Sequence, residues 1–108
     1  MDRLKDKIAL VTGAGSGIGR ACMMKFAEEG ATVVGVSRTQ KNLDESLRLT
    51  KSVGGSGAVF SADLSDPVQA ERAVEFCIET YGRIDILLNA AGVGYNLRET
   101  SIGSMDPI

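Results

Sequence analysis

Histidine and tryptophan are absent from the 108 residues, which hold only two cysteines, two prolines, three phenylalanines and two tyrosines. Without histidine, the usual general base near neutral pH, acid/base chemistry falls to Tyr, Lys, Cys or a carboxylate. Cys22 and Cys77 are too few and too far apart for a disulfide framework, and two thiols without histidine make a poor zinc set. No metal site is expected, and both cysteines read as buried thiols in a reducing compartment. Charge of one sign is lacking as well. Twelve Lys and Arg oppose fourteen Asp and Glu for a net charge of −2, with no basic stripe, so nucleic acid is not expected as a partner. Long apolar runs are missing too. Behind the charged start at Met1 to Lys7, the run Ile8 to Val11 is too short for a secretion signal, and nothing approaches the roughly 18 residues of a membrane span. The expected location is the cytoplasm, away from membranes.

What is present is a globular composition, 44% apolar and 24% charged, in a chain of one-domain size. A chain this long buries roughly two thirds of its unfolded surface and can hold a core without staples. Ile8 to Val11, β-branched and bounded by charge and glycine, reads as a strand buried on both faces. Ile18, Ala21, Cys22 and Phe26 follow as one face of a helix that ends before Gly30. Thr32 to Val36 reads as a second strand. Leu43, Leu47 and Val53 mark a more polar helix ended by Gly54, Gly55 and Gly57. Ala58 to Ser61 is a weak third strand. Asp66 before Pro67 predicts a helix cap with Gln69 at capping-box spacing, and Ala70, Ala73, Val74, Cys77 and Tyr81 form an amphipathic stripe closed by Gly82. Ile84 to Leu88 reads as a fourth strand, and the sequence is irregular from Asn89 onward.

Strands alternating with crossover helices imply a parallel sheet with right-handed connections, the first half of a doubly wound α/β fold. No repeat or linker composition suggests a second domain. Between the first strand and its helix stand Thr12, Gly13, Ala14, Gly15, Ser16, Gly17, Ile18 and Gly19. A glycine-rich turn into a helix start exposes amide N–H groups and the positive end of the helix dipole, which together favour a phosphate. By analogy with the general dinucleotide fingerprint, Gly13 serves the tight turn, Gly17 the approach of pyrophosphate and Gly19 the packing of helix on strand. The spacing is not Gly-x-Gly-x-x-Gly. A merely flexible loop is the plain alternative, and the position between strand and helix argues against it. A P-loop is excluded because no Lys followed by Ser or Thr closes the turn.

The pattern Thr-Gly-x-x-x-Gly-x-Gly at Thr12 to Gly19, Asp63-Leu64 after the third strand and Asn89-Ala90-Ala91-Gly92 after the fourth resembles the short-chain dehydrogenase/reductase family. Ala90 stands where that family often has a second Asn. The resemblance implies a Rossmann-like doubly wound parallel sheet, of which residues 1–108 are the N-terminal, dinucleotide-binding part, ending before the catalytic half. It implies that the Asp63 carboxylate accepts a hydrogen bond from the adenine amine, beside Leu64, and that Ala90, Ala91 and Gly92 line the cofactor ribose. The turn residues Gly13, Ser16, Gly17, Ile18 and Gly19, together with Asn89, complete that set. Away from this context, Asp63 would be an ordinary loop acid and the Asn89 segment a turn.

A free ribose 2′-hydroxyl is usually recognised by an acid at the end of the second strand, where this chain has Ser37 and Arg38. A guanidinium pairs with a 2′-phosphate through two parallel hydrogen bonds, so NADP(H) is expected over NAD(H), with Arg38 as a solvated surface charge the alternative. Catalytic members of the family are similar in using a Ser and a Tyr-x-x-x-Lys pair, in which an ammonium favours the phenolate. Here Asp85 follows Tyr81 by four residues and Glu99 follows Tyr95, so no catalytic residue is assigned. Tyr81 falls on the apolar stripe and Tyr95 in a loop. The expectations are therefore an NADP(H)-dependent oxidoreductase's cofactor-binding part, inactive alone, or a non-catalytic nucleotide-binding or interaction module. A small carbonyl or alcohol substrate enters only with a catalytic half. The unpaired outer edge of the fourth strand predicts self-association.

Overall fold

The structure, a computed structural model, describes residues 3–90. Its elements alternate as β1 (Ile8–Thr12), α1 (Gly17–Glu28), β2 (Thr32–Ser37), α2 (Gln40–Ser52), β3 (Ser56–Ser61), α3 (Pro67–Tyr81) and β4 (Ile86–Asn89). The four strands form one sheet in the order β3-β2-β1-β4, every pair parallel. Because the order reverses across β1, the crossovers fall on both faces: this is the doubly wound arrangement the alternation predicted.

Every residue of β1 is buried, as expected of a central strand covered on both sides. Side chains alternate along it. Ala9 and Val11 join Met23, Ala27, Val33 and Leu43 under α1 and α2, while Ile8 and Leu10 join Val34, Val36, Ala73 and Cys77 under α3. The rings of Phe60 on β3 and Phe76 on α3 stack with centroids 4.9 Å apart and help hold α3 to the sheet.

Several local expectations shift. The buried residues of α1 are Gly19, Met23 and Ala27, one position on from the face read in the sequence; Ile18 is 45% exposed and Ala21 is exposed. Two of the three are small, so the true contact face carries little apolar signal. Cys22 is half-buried; only Cys77 is the buried thiol expected. On α2 the inward residues are Leu43, Ser46 and Thr50, with Leu47 half-buried; Val53 lies beyond the helix end and is exposed. Gly57 belongs to β3 and does not end α2. A Cβ there would lie 2.1 Å from the Val33 carbonyl oxygen on β2, so only glycine lets the strands meet at that point.

β4 begins at Ile86, later than Ile84, because Asp85 is used as a clamp. Its carboxylate accepts the Ile8 amide at 2.8 Å, and its own amide donates to the Ile8 carbonyl at 2.8 Å. The Ile8 amide, then the Arg83 guanidinium, holds the Asp85 carboxyl below its usual range. Among the described residues no helix is long and apolar enough to cross a membrane.

Candidate functional site

All three helices start just beyond the carboxyl end of a strand, and ligands of open parallel sheets bind at that rim. There a cavity of about 410 Å³ lies among the glycine turn, the end of β2 and the loop after β3. It brings together Gly13, Ser16, Ser37, Arg38, Asp63 and Leu64, six residues singled out in the sequence from three separate segments.

The turn is shaped by two glycines with positive φ, Gly13 at 66° and Gly17 at 54°, values L side chains rarely adopt. A Cβ on Gly17 would meet nothing within 4 Å, so the space beside it is open to a visitor. Gly19 is different. Its Cβ would sit 1.8 Å from the Gly13 carbonyl oxygen, so its bareness lets α1 press on the turn and its role is packing.

The start of α1 is uncapped. Ser16 occupies the cap position with extended backbone but gives no side-chain hydrogen bond, and no acid lies in the first turn. The first amide to close back on the chain is that of Arg20, onto the Ser16 carbonyl at 3.2 Å. The amides of Gly17, Ile18 and Gly19 therefore stand at the positive end of the helix with no intrahelical acceptor.

At the end of β2, no described carboxylate pairs with Arg38. The Ser37 hydroxyl accepts the Thr39 amide at 3.3 Å. Across the cavity, Asp63 Oδ1 accepts both the Ser65 hydroxyl at 2.7 Å and the Ser65 amide at 3.0 Å. Those two bonds, the hydroxyl foremost, together with the Arg38 charge, hold the Asp63 carboxyl below its usual range and keep it an acceptor. Leu64 lines this cavity and also a neighbouring apolar one of about 240 Å³.

Asn89 is placed apart from this group, at the end of β4 beside the smaller cavity, where its Oδ1 accepts the Thr12 hydroxyl at 2.7 Å. Ala90 is buried next to it. Ala91, Gly92 and Tyr95 lie outside the described residues. Tyr81 packs half-buried against the α3-side core, and burial, then Cys77, pushes its phenol up, away from a ready phenolate. Among the described residues no cluster of three metal-ligating side chains occurs.

The sequence reading missed a network behind the turn. Arg20 donates through Nε to Ser46 Oγ at 2.8 Å and through Nη2 to the Gly15 carbonyl at 2.7 Å, and Ser46 Oγ donates to the Ala14 carbonyl at 2.6 Å. The only hint in the sequence is a serine on the inward face of α2.

The sequence matches the short chain dehydrogenase family over residues 7–106. It is 40% identical over 91 residues to the 3-oxoacyl-[acyl-carrier-protein] reductase FabG of Thermotoga maritima, covering 84% of this chain and 37% of that protein. It is 38% identical to the short-chain dehydrogenase/reductase homolog YusS of Bacillus subtilis, covering 82% of each. The fold superposes on the crystal structure of actinorhodin polyketide ketoreductase with NADPH at a TM-score of 0.76 and 30% identity, over 82% of this chain and 34% of that one. The chain thus spans well under half of the reductase FabG and of the ketoreductase. A parallel sheet ordered β3-β2-β1-β4, an uncapped glycine turn on its first helix and the match over residues 7–106 lead to one assignment: the chain belongs to the short chain dehydrogenase family.

Proposed function

We propose that this chain is the cofactor-binding part of an NADP(H)-dependent oxidoreductase acting on a carbonyl or alcohol. The observation that carries the reading is the cavity of about 410 Å³ that joins the glycine turn, Ser37-Arg38 and Asp63 at one rim of the sheet. Its donors and acceptors suit the adenosine end of a dinucleotide. Amides at the start of α1 take the diphosphate, Arg38 takes a 2′-phosphate, and Asp63, already ionised, accepts from the adenine amine with Leu64 beside it. Ile18 lies in that first turn, and Asn89, Ala90, Ala91 and Gly92 are assigned to the ribose side. The bound cofactor supplies the hydride; these residues hold and orient it. The chain contains no Tyr-x-x-x-Lys pair, so the activity proposed for it alone is binding without turnover, a substrate entering only where a catalytic half is supplied. Two unpaired thiols support a reducing, cytoplasmic setting.

Preference for NADP(H) is argued from a guanidinium at the end of β2 that forms no salt bridge among the described residues, and the ketoreductase relative was crystallised with NADPH. NAD(H) binds the same cavity more weakly. Fluorescence titration of the 108-residue chain with NADPH and NADH tests this. NADPH is expected to bind about tenfold tighter or better, the difference one charge-assisted pair makes. Ser37→Asp with Arg38→Ile should reverse the order, and an unchanged preference in that variant would sink the assignment.

A non-catalytic interaction module is the second reading, and the β4 edge favours it. Among the described residues β4 is paired on one side only, and Leu87 is 64% exposed beside the apolar cavity formed with Leu64 and Val74. Self-association should then appear in light scattering as mass rising with concentration. A strictly monomeric chain over a wide range would remove it.

A further inference from the structure

Arg20 and Ser46 form the network behind the glycine turn. Ser46 is fully buried on the inward face of α2, between Leu43 and Thr50. A serine inside a helix ordinarily donates to the carbonyl four residues back, here that of Asn42. Ser46 Oγ instead donates to the Ala14 carbonyl and accepts from Arg20 Nε, and it is Arg20 Nη2 that takes the Asn42 carbonyl, at 3.1 Å. One guanidinium and one hydroxyl thus hold the carbonyl oxygens of Ala14 and Gly15, two successive residues of the turn, and tie both to α2.

Peptide planarity gives this tie a consequence. In a trans peptide the carbonyl and the following N–H point in opposite directions. Pinning the Ala14 and Gly15 carbonyls toward Arg20 and Ser46 therefore turns the amides of Gly15 and Ser16 away from that pair. Released, either peptide could rotate and present a carbonyl oxygen where an anion is to sit, an arrangement that repels phosphate. Gly15 lacks the Cβ that would resist such a rotation.

We propose that Arg20 and Ser46 are positioning residues for the diphosphate: through the Ala14 and Gly15 carbonyls they fix the orientation of the Gly15 and Ser16 amides, which line the cavity just ahead of the uncapped amides of α1 and complete the seat with them. They need not touch the ligand. The proposal rests on reading the cavity as a dinucleotide site, and the experiment separates the two.

The full chain is titrated calorimetrically with ADP-ribose, which carries a diphosphate, and with adenosine 2′-monophosphate, which does not. Arg20→Gln and Ser46→Ala should each weaken ADP-ribose binding about tenfold, the worth of one buried or charge-assisted hydrogen bond. Adenosine 2′-monophosphate should stay within about twofold of wild type, and Arg20→Lys should recover part of the loss because the ammonium can replace one of the guanidinium's bonds. Ser46→Ala removes a single oxygen and carries the test if the arginine variants fail to fold. Unchanged ADP-ribose affinity in the variants, or an equal loss for both ligands, would overturn the positioning role. A wild-type chain that binds neither ligand would overturn the dinucleotide reading itself.

Discussion

The first turns of α1 and α3 face the same rim of the sheet and treat their amides in opposite ways. At α3 the chain satisfies itself: Asp66 Oδ1 accepts the Val68 amide at 3.0 Å, Pro67 at the first position has no N–H to satisfy, and Gln69 Nε2 donates to Asp66 Oδ2 at 3.2 Å. Gln69 Oε1 reaches further back, to the Asp63 amide at 2.8 Å, so the expected capping box closes one loop earlier than on Asp66 itself. At α1 the cap position offers no side-chain bond, the first turn is Gly-Ile-Gly, and the available side chains are used to pin carbonyls on the far side of the turn. A helix start that caps itself is a structural joint. One left bare, and held in shape from behind, suits the diphosphate proposed for it.

The largest expected effect breaks the bare turn. Gly19→Ala would ordinarily stabilise a helix by about 1 kcal/mol. Here the added Cβ lies 1.8 Å from the Gly13 carbonyl oxygen. The variant should lose about 3 kcal/mol in denaturant melts, the top of the usual overpacking range, and with it dinucleotide binding.

Ser16→Asp makes α1 resemble α3 by giving it an acidic cap. The free chain should gain about 0.5 kcal/mol, while the new charge repels diphosphate and weakens ADP-ribose by about a hundredfold in titration. Gain in stability with loss of binding is the signature sought; a variant that binds as before would make the bare turn irrelevant.

Asp66→Ala is the converse, removing the cap from α3. It should cost about 1 kcal/mol in melts and leave ADP-ribose affinity unchanged, since that cap serves only the helix.

Acid gives the smallest effect. The Asp63 carboxyl is held below its ordinary value of 3.8, chiefly by Ser65, so its contribution to stability is whole above that value and is lost as pH falls through the lower folded one. The Asp63 carboxyl resonance of the free chain should therefore titrate with a midpoint below 3.8, and a midpoint at or above that value would contradict the hold by Ser65.

The contrast between the helix starts was half legible in the sequence. Asp66-Pro67 announces a cap because both residues act on their own backbone, within three positions. The glycine turn announces a helix start without a cap for the same reason. What the sequence hides is whatever depends on a distant partner. Arg20 and Ser46 are 26 positions apart, and neither is unusual on its own helix. Gly57 reads as a helix stop until Val33 is seen against it, and the inward face of α1 is built from Gly19 and Ala27, whose smallness is the point of contact and whose apolar signal is slight. Asp85 shortens β4 through a bond to Ile8, 77 residues away.

The most direct test of the bare-turn claim follows backbone amide resonances of the chain as ADP-ribose is added. The amides of Gly15 to Gly19 should move in a saturable way, while those of Val68 to Ala70 at the capped start of α3 stay in place. Saturable shifts elsewhere with Gly15 to Gly19 unmoved, or no shifts anywhere, would contradict it.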